Sequence, residues 1–238
     1  MKDLGTLGTG TWSWAFGIND SDQVVGASYY QLGANATHPF LYSEVVMIDL
    51  TPGAGCCGSA YDINNAGHIV GVTPNSQAFL YSGGVLNEIG PSSEARGINN
   101  YDQVVGWSYI PGPYPHAFIY EDGVMADLNS LLPEGSGWVL NYALDINDIG
   151  QIVGIGTTNG QSHAFLLSPV ILGDINRDGR VDISDVIFDL RCALGLSIEP
   201  YQCLPCADIN GDGKVDISDV ILTLRMALGL DPLKPCTE

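Results

Sequence analysis

At 238 residues and 45% hydrophobic composition, the chain is long enough for one or two domains with real cores, and no apolar run in it could span a bilayer. Eight Lys and Arg stand against 27 Asp and Glu, a formal charge of −19, which argues against nucleic acid or an anionic membrane surface as partner. The opening Met1-Lys-Asp-Leu-Gly-Thr6 does not read as a signal peptide, so a mature, trimmed or partial chain is expected, with its export signal unidentified.

The first 168 residues repeat themselves. Ala15-Phe-Gly-Ile-Asn19 recurs as Ala60-Tyr-Asp-Ile-Asn64, Ala95-Arg-Gly-Ile-Asn99 and Ala143-Leu-Asp-Ile-Asn147. Each is followed by Val24-Val-Gly26, Ile69-Val-Gly71, Val104-Val-Gly106 or Ile152-Val-Gly154, then by Phe40-Leu-Tyr42, Phe79-Leu-Tyr81, Phe118-Ile-Tyr120 or Phe165-Leu-Leu167. Leu50, Ile89 and Leu128 mark a fourth apolar segment in the first three units. Four short segments in about 40 residues, parted by Gly, Asn, Asp and Ser turns and lacking helical periodicity, predict one propeller blade per unit. The expected fold is mainly β with a small α module, its body (residues 1–170) a β-propeller-like array of four four-stranded repeats.

The repeated residue types have physical reasons. Ala must be small where neighbouring units crowd, Asn at the turn can bond its own backbone and tolerate left-handed geometry, and Gly permits close backbone approach. His116-Ala-Phe118 and His163-Ala-Phe165, with Asp3-Leu-Gly-Thr-Leu-Gly8 and the looser His38-Pro-Phe40 and Gln77-Ala-Phe79, resemble the HAF repeat of extracellular bacterial proteins. The resemblance implies a propeller-like body and assigns it no chemistry. Either Pro169-Val-Ile-Leu172 or Lys2-Asp-Leu4 could supply the last unit's fourth strand; a strand passed to another copy would instead build a chain of subunits.

Catalytic chemistry is not signalled in the body. No Gly-x-Ser-x-Gly elbow, His-Glu-x-x-His helix or phosphate loop is present, so no enzyme is expected. His38, His116 and His163 share one repeat position, which suits a local strand hydrogen bond better than a ring around an axis; His68 stands elsewhere. Trp12, Trp14, Trp107 and Trp138, with Tyr29, Tyr30, Tyr109 and Tyr114, could stack on polysaccharide, although packing between blades accounts for them too. Asn35-Ala-Thr37 is a glycosylation sequon; Asn19-Asp-Ser21 also fits the pattern but is read as structural.

The remaining residues, 171–238, carry the sharpest signal. Asp174-Ile-Asn-Arg-Asp-Gly-Arg-Val-Asp-Ile-Ser-Asp185 is rewritten 34 residues later as Asp208-Ile-Asn-Gly-Asp-Gly-Lys-Val-Asp-Ile-Ser-Asp219. Side-chain oxygens fall at loop positions 1, 3, 5, 9 and 12: Asp174, Asn176, Asp178, Asp182 and Asp185, then Asp208, Asn210, Asp212, Asp216 and Asp219. Position 7 offers a backbone carbonyl, so Arg180 and Lys214 are acceptable there, and Gly179 and Gly213 allow the sharp turn. Two calcium ions are the expected cofactors, one per loop. Ile183, Val186, Ile187, Leu190 and Leu194 then share a helical face ending at Gly195, and Ile217, Val220, Ile221, Leu224 and Leu228 repeat it before Gly229. Prolines ahead of both loops argue against an entering helix.

This duplicated loop-and-helix, over residues 171–234, resembles a type I dockerin, which implies calcium binding and attachment to a cohesin-like protein partner. Loop positions 10 and 11 depart from the hydroxylated pair typical of cellulosomal dockerins, being Ile183-Ser184 and Ile217-Ser218, so the partner could also be the chain's own body or a neighbouring copy. Six cysteines point to an oxidising, extracellular compartment: Cys56 and Cys57 are adjacent, and a vicinal disulfide is open to them. Cys192, Cys203, Cys206 and Cys236 allow three pairings, of which Cys192–Cys203 with Cys206–Cys236 is favoured over zinc because no His follows His163. The resulting expectation is a secreted, non-enzymatic calcium-binding interaction protein. A polysaccharide-binding or polysaccharide-degrading complex component and a self-assembling filament subunit are the alternatives.

Overall fold

The computed structural model describes residues 1–31, 36–53, 57–109, 114–133, 135–199, 206–232 and 236. The chain divides into two compact units, Met1–Leu167 and Ser168–Glu238.

The first unit is built of consecutive antiparallel meanders. The first sheet holds β1 (Ser13–Ile18), β2 (Val24–Tyr29), β3 (Thr37–Ser43) and β4 (Val46–Asp49). The second holds β5 (Ser59–Ile63), β6 (Ile69–Val72), β7 (Ala78–Ser82) and β8 (Val85–Gly90). The third holds β9 (Ser93–Ile98), β10 (Val104–Ser108), β11 (His116–Glu121) and β12 (Val124–Asp127). The last has three strands, β13 (Trp138–Ile146), β14 (Ile152–Thr158) and β15 (Gln161–Leu167). The expectation of four four-stranded repeats is therefore corrected in the last unit, and no closed propeller forms among the described residues.

Neither closing strand forms. Val170 lies in the second unit, its carbonyl accepting from the Cys236 N–H, and Ile171 is buried there. Leu4 packs beside Phe40 and Tyr42 of the first sheet, with Lys2 over the Tyr42 ring at 5.1 Å.

The repeat residues explain how sheets join. A Cβ on Gly26, Gly71, Gly106 or Gly154 would meet a carbonyl oxygen of the neighbouring first strand at 1.9–2.0 Å, so only glycine allows these strands to pair. Each first strand is bulged beside its conserved-in-repeat Ala, as the register shift between Ala15 and Gly17 illustrates. Asn19, Asn64, Asn99 and Asn147 each accept two backbone N–H groups of the following turn through Oδ1. The left-handed residue is three places further on: Asp22, Gly67, Asp102 and Gly150. The Asn amides then do something the sequence did not announce. Asn19 Nδ2 donates to the Asn64 carbonyl at 3.0 Å, Asn64 to Asn99 at 3.0 Å, and Asn99 to Asn147 at 3.1 Å, stitching successive sheets.

The second unit pairs two helices, α1 (Ile183–Ala193) and α2 (Ile217–Ala227). Asp182 and Asp216 cap them with their side chains, and Asp185 and Asp219 close the reciprocal capping boxes. Both helices end alike: Gly195 and Gly229 take positive φ, and the Leu196 and Leu230 N–H groups reach back to the Arg191 and Arg225 carbonyls. The core is small. Ile175, Cys192, Ile198 and Ala207 form one cluster with Val215 against it; Ile171, Val181 and Met226 form the other, with Ile209 against it. Position 8 of each loop thus shares a cluster with position 2 of the other. The Cys206–Cys236 disulfide, with Cα atoms 5.5 Å apart, ties the end of the unit to its middle. Cys192 is also disulfide-bonded; its favoured partner Cys203 lies outside the described residues, as do Cys56 and Asn35.

Candidate metal-binding loops

The two loops adopt the same hydrogen-bond pattern. Asp174 accepts from Asp178 N–H at 3.1 Å and Gly179 N–H at 2.9 Å; Asp208 accepts from Asp212 N–H at 3.1 Å and Gly213 N–H at 2.8 Å. Asn176 and Asn210 each accept from the Asp two residues on, and Asp178 and Asp212 from Arg180 and Lys214 N–H. Asp185 takes the Ile175, Asn176 and Asp182 N–H groups on its two oxygens, and Asp219 takes those of Ile209, Asn210 and Asp216. Gly179 and Gly213 both turn at φ 85°, a left-handed geometry that glycine adopts freely and other residues rarely do.

Electrostatics within the loops is divided. Burial, then the neighbouring carboxylates, pushes Asp174 above the ordinary carboxylate range, and burial does the same to Asp185 despite three backbone donors. The half-buried caps Asp182 and Asp216 are held below it by bonds from Ser184 and Ser218. Among the described residues no group of three or more His, Cys, Asp or Glu side chains is gathered tightly enough to hold a metal ion as it stands. The carboxylate oxygens are instead turned onto the loops' own N–H groups. The donor set itself, five side-chain oxygens and one carbonyl per loop, fits a hard cation and no soft one.

Most of each predicted helical face looks outward, but Val186 is half-buried and Val220 is buried. Ile183, Ile187, Leu190 and Leu194 are exposed on α1 and just beyond it, and Ile217, Ile221, Leu224 and Leu228 are exposed at the matching places of α2. The buried face carries Asp185, Asp189 and Cys192 on α1, and Asp219, Val220, Thr223 and Met226 on α2. Asp189 is fully buried, receives the Thr223 hydroxyl at 2.5 Å, and has no partner for Oδ1. Burial, reinforced by Asp219 and Asp185, raises it to about 6. An acid raised in the fold stabilises below its unfolded value and loses that contribution as pH climbs through 6, a loss of about 3 kcal/mol for two units. Asp189→Asn is expected to stabilise the calcium-loaded unit by about 1–2 kcal/mol at pH 7.5, the new amide nitrogen being left unbonded, and the gain should vanish near pH 4. Denaturant unfolding across that pH range checks it; a gain independent of pH contradicts the assignment.

In the first unit His38, His116 and His163 are strand residues, while His68 lies in the turn between β5 and β6. His38 Nδ1 meets Asp49 at 2.8 Å and His116 Nδ1 meets Asp127 at 2.7 Å, each across the third and fourth strands of one sheet. Burial would raise Asp127, but the bonds from His116 and Asn129 outweigh it and hold it low. His68 bonds Asp102 of the next sheet at 2.6 Å. Trp107 packs edge-on against Tyr142 of the next sheet and Tyr109, and Trp138 edge-on against His163. The bulged residues Phe16, Tyr61, Arg96 and Leu144 line a groove of about 490 Å³ with Asp62 and Asp145, a feature no sequence motif marks.

The fold thus defines a class, a mainly antiparallel β chain of four small sheets joined to a two-helix unit with duplicated acidic loops. No protein-family model matches the chain, and no curated protein matches it.

Proposed function

We propose that the chain is an extracellular calcium-binding interaction protein, in which a dockerin-like unit folded on two calcium ions attaches a rigid, propeller-like HAF-repeat body to a protein partner. What carries this reading is the duplicated apolar stripe, Ile183, Ile187, Leu190 and Leu194 with Ile217, Ile221, Leu224 and Leu228, held outward by helices that begin on the two acidic loops. Eight exposed Ile and Leu side chains in so small a unit are costly in water, and a partner that covers them removes the cost. Calcium would be held by Asp174, Asn176, Asp178, Asp182 and Asp185 with the Arg180 carbonyl, and by Asp208, Asn210, Asp212, Asp216 and Asp219 with the Lys214 carbonyl. Its part is structural: it screens the loop carboxylates from one another and fixes the start of each helix. About −15 of net charge remains with both ions bound, which keeps nucleic acid out of the reading.

Calorimetric titration of the full chain with calcium is expected to give two ions per chain. Asp174→Ala should leave one, and Asp174→Ala with Asp208→Ala none. Ile187→Asp with Ile221→Asp should keep both ions yet abolish calcium-dependent retention of partner from the source's extracellular fraction. A wild-type chain that binds no calcium would falsify the proposal.

A further inference from the structure

The joints between successive sheets of the body follow one rule. The Ile that ends each following first strand plugs into the sheet before it: Ile63, Ile98 and Ile146 are 4%, 5% and 5% exposed. They cluster with Val25, Val70 and Val105, all 0% exposed. The two ends of the array depart from this rule in complementary ways. Ile18, the same knob on the first sheet, is 66% exposed, while Val153, the same socket residue on the last, is 44% exposed. Leu166, at the place of the buried Leu41, is 63% exposed.

The missing strand gives a second, independent match. His163 occupies the position from which His38 and His116 bond an Asp on the fourth strand, and among the described residues the last sheet has no fourth strand. Residues 2–5, which join no sheet among the described residues, carry its features. Asp3 accepts the Gly5 N–H at 2.9 Å, just as Asp49 accepts Thr51 N–H at 2.9 Å and Asp127 accepts Asn129 N–H at 2.8 Å. Leu4 packs with Phe40, Tyr42 and Met47 on the first sheet, as Leu50 does with Phe79, Tyr81 and Leu86 on the second. The segment already stands where the fourth strand of a preceding sheet belongs.

Polar groups agree. The Asp62 carboxylate accepts the Ile98 N–H of the next sheet at 3.0 Å, and Asp145 holds the same position on the last sheet with no next Ile to meet. Asn147 Nδ2 donates to its own Gln151, as Asn19 and Asn99 donate to Gln23 and Gln103. Asn19, Asn64 and Asn99 also reach a carbonyl of the following sheet, and among the described residues Asn147 has no following sheet to meet.

We propose that the body associates head-to-tail with a second copy of this chain: Ile18 and residues 2–5 of one copy complete the β13–β15 sheet of the next, with Asp3 meeting His163. Because the two contacting surfaces differ, each added copy leaves one end open, and the array either grows or closes into a ring. One term opposes the contact. Interior joints set at least one Asn at the pairs Asp20–Asn65, Asn65–Asn100 and Asn100–Asp148, whereas this joint sets Asp148 beside Asp20. With a chain charge of −19 as well, association should strengthen as salt rises.

Light scattering on the full chain in calcium, over a range of concentration at low and high salt, tests this without reference to what the helical unit binds. The mass should exceed one chain and climb with both concentration and salt. Ile18→Asp and Val153→Asp, both at exposed positions, should each remain single chains with unchanged circular dichroism. Mixed in equal amounts, they should form two-chain particles and nothing larger, since each keeps one intact end. A wild-type chain that stays single under every condition overturns the proposal, as does a Val153→Asp chain that still dimerises, or a mixture that does not.

Discussion

In excess EGTA at neutral pH, residues 168–238 are expected to lose their helices while the strand signal of Met1–Leu167 persists. Each loop confines four aspartates, and the cores beneath them are two clusters of four and three buried residues. So small a core offers little free energy against the entropy of ordering the chain, and burial already pushes Asp174 and Asp185 toward protonation. Removal of the ions would leave only the loops' own N–H groups to offset the repulsion among those carboxylates, so on the calcium reading binding free energy is largely folding free energy. Asp178→Ala with Asp212→Ala should reproduce the effect in calcium. Far-UV circular dichroism and limited proteolysis read it out: helical signal falls, and cleavage trims the chain back toward Leu167. Retained helix and an unchanged cleavage pattern in EGTA would mean that the loops hold the unit together through their own hydrogen bonds alone.

Replacing the disulfide, Cys206→Ser with Cys236→Ser, should lower the stability of the calcium-loaded unit by about 3–4 kcal/mol. The bond spans 30 residues, a loop containing the second acidic loop and α2, so its removal frees a large part of the unfolded chain. It also holds together a local clasp in which the Cys236 N–H bonds the Val170 carbonyl and the Gly173 N–H bonds the Cys206 carbonyl. Denaturant unfolding of both proteins in excess calcium measures the difference. A loss under about 1 kcal/mol would show that the unfolded unit is restrained by something other than this crosslink.

Much of the local chemistry was legible beforehand because it depends on residues a few positions apart. Gly195 spells a helix stop and Gly71 a close strand approach, each within one turn or one strand pair. The capping box of Asp182 with Asp185 emerges only in the structure, because the sequence reads both as loop ligands. The direction of the helical stripes was not legible. Periodicity reveals that Ile183, Ile187 and Leu190 share a face, but not whether that face looks in. Here the loop residues Ile175, Val181, Ile209 and Val215 fill the space between the repeats, leaving the stripes outside.

The sequence by itself determined the repeat, the four-unit count, the two acidic loops and their helices, because spacing along the chain sets which side chains can share a turn or a strand face. Only the tertiary structure decided that the last sheet stops at three strands, that residues 2–5 lie against the first sheet, and that Asn64 and its counterparts reach across to the next carbonyl. Those outcomes depend on contacts between residues tens of positions apart, where one apolar strand resembles another and the choice falls to whichever surface it covers best.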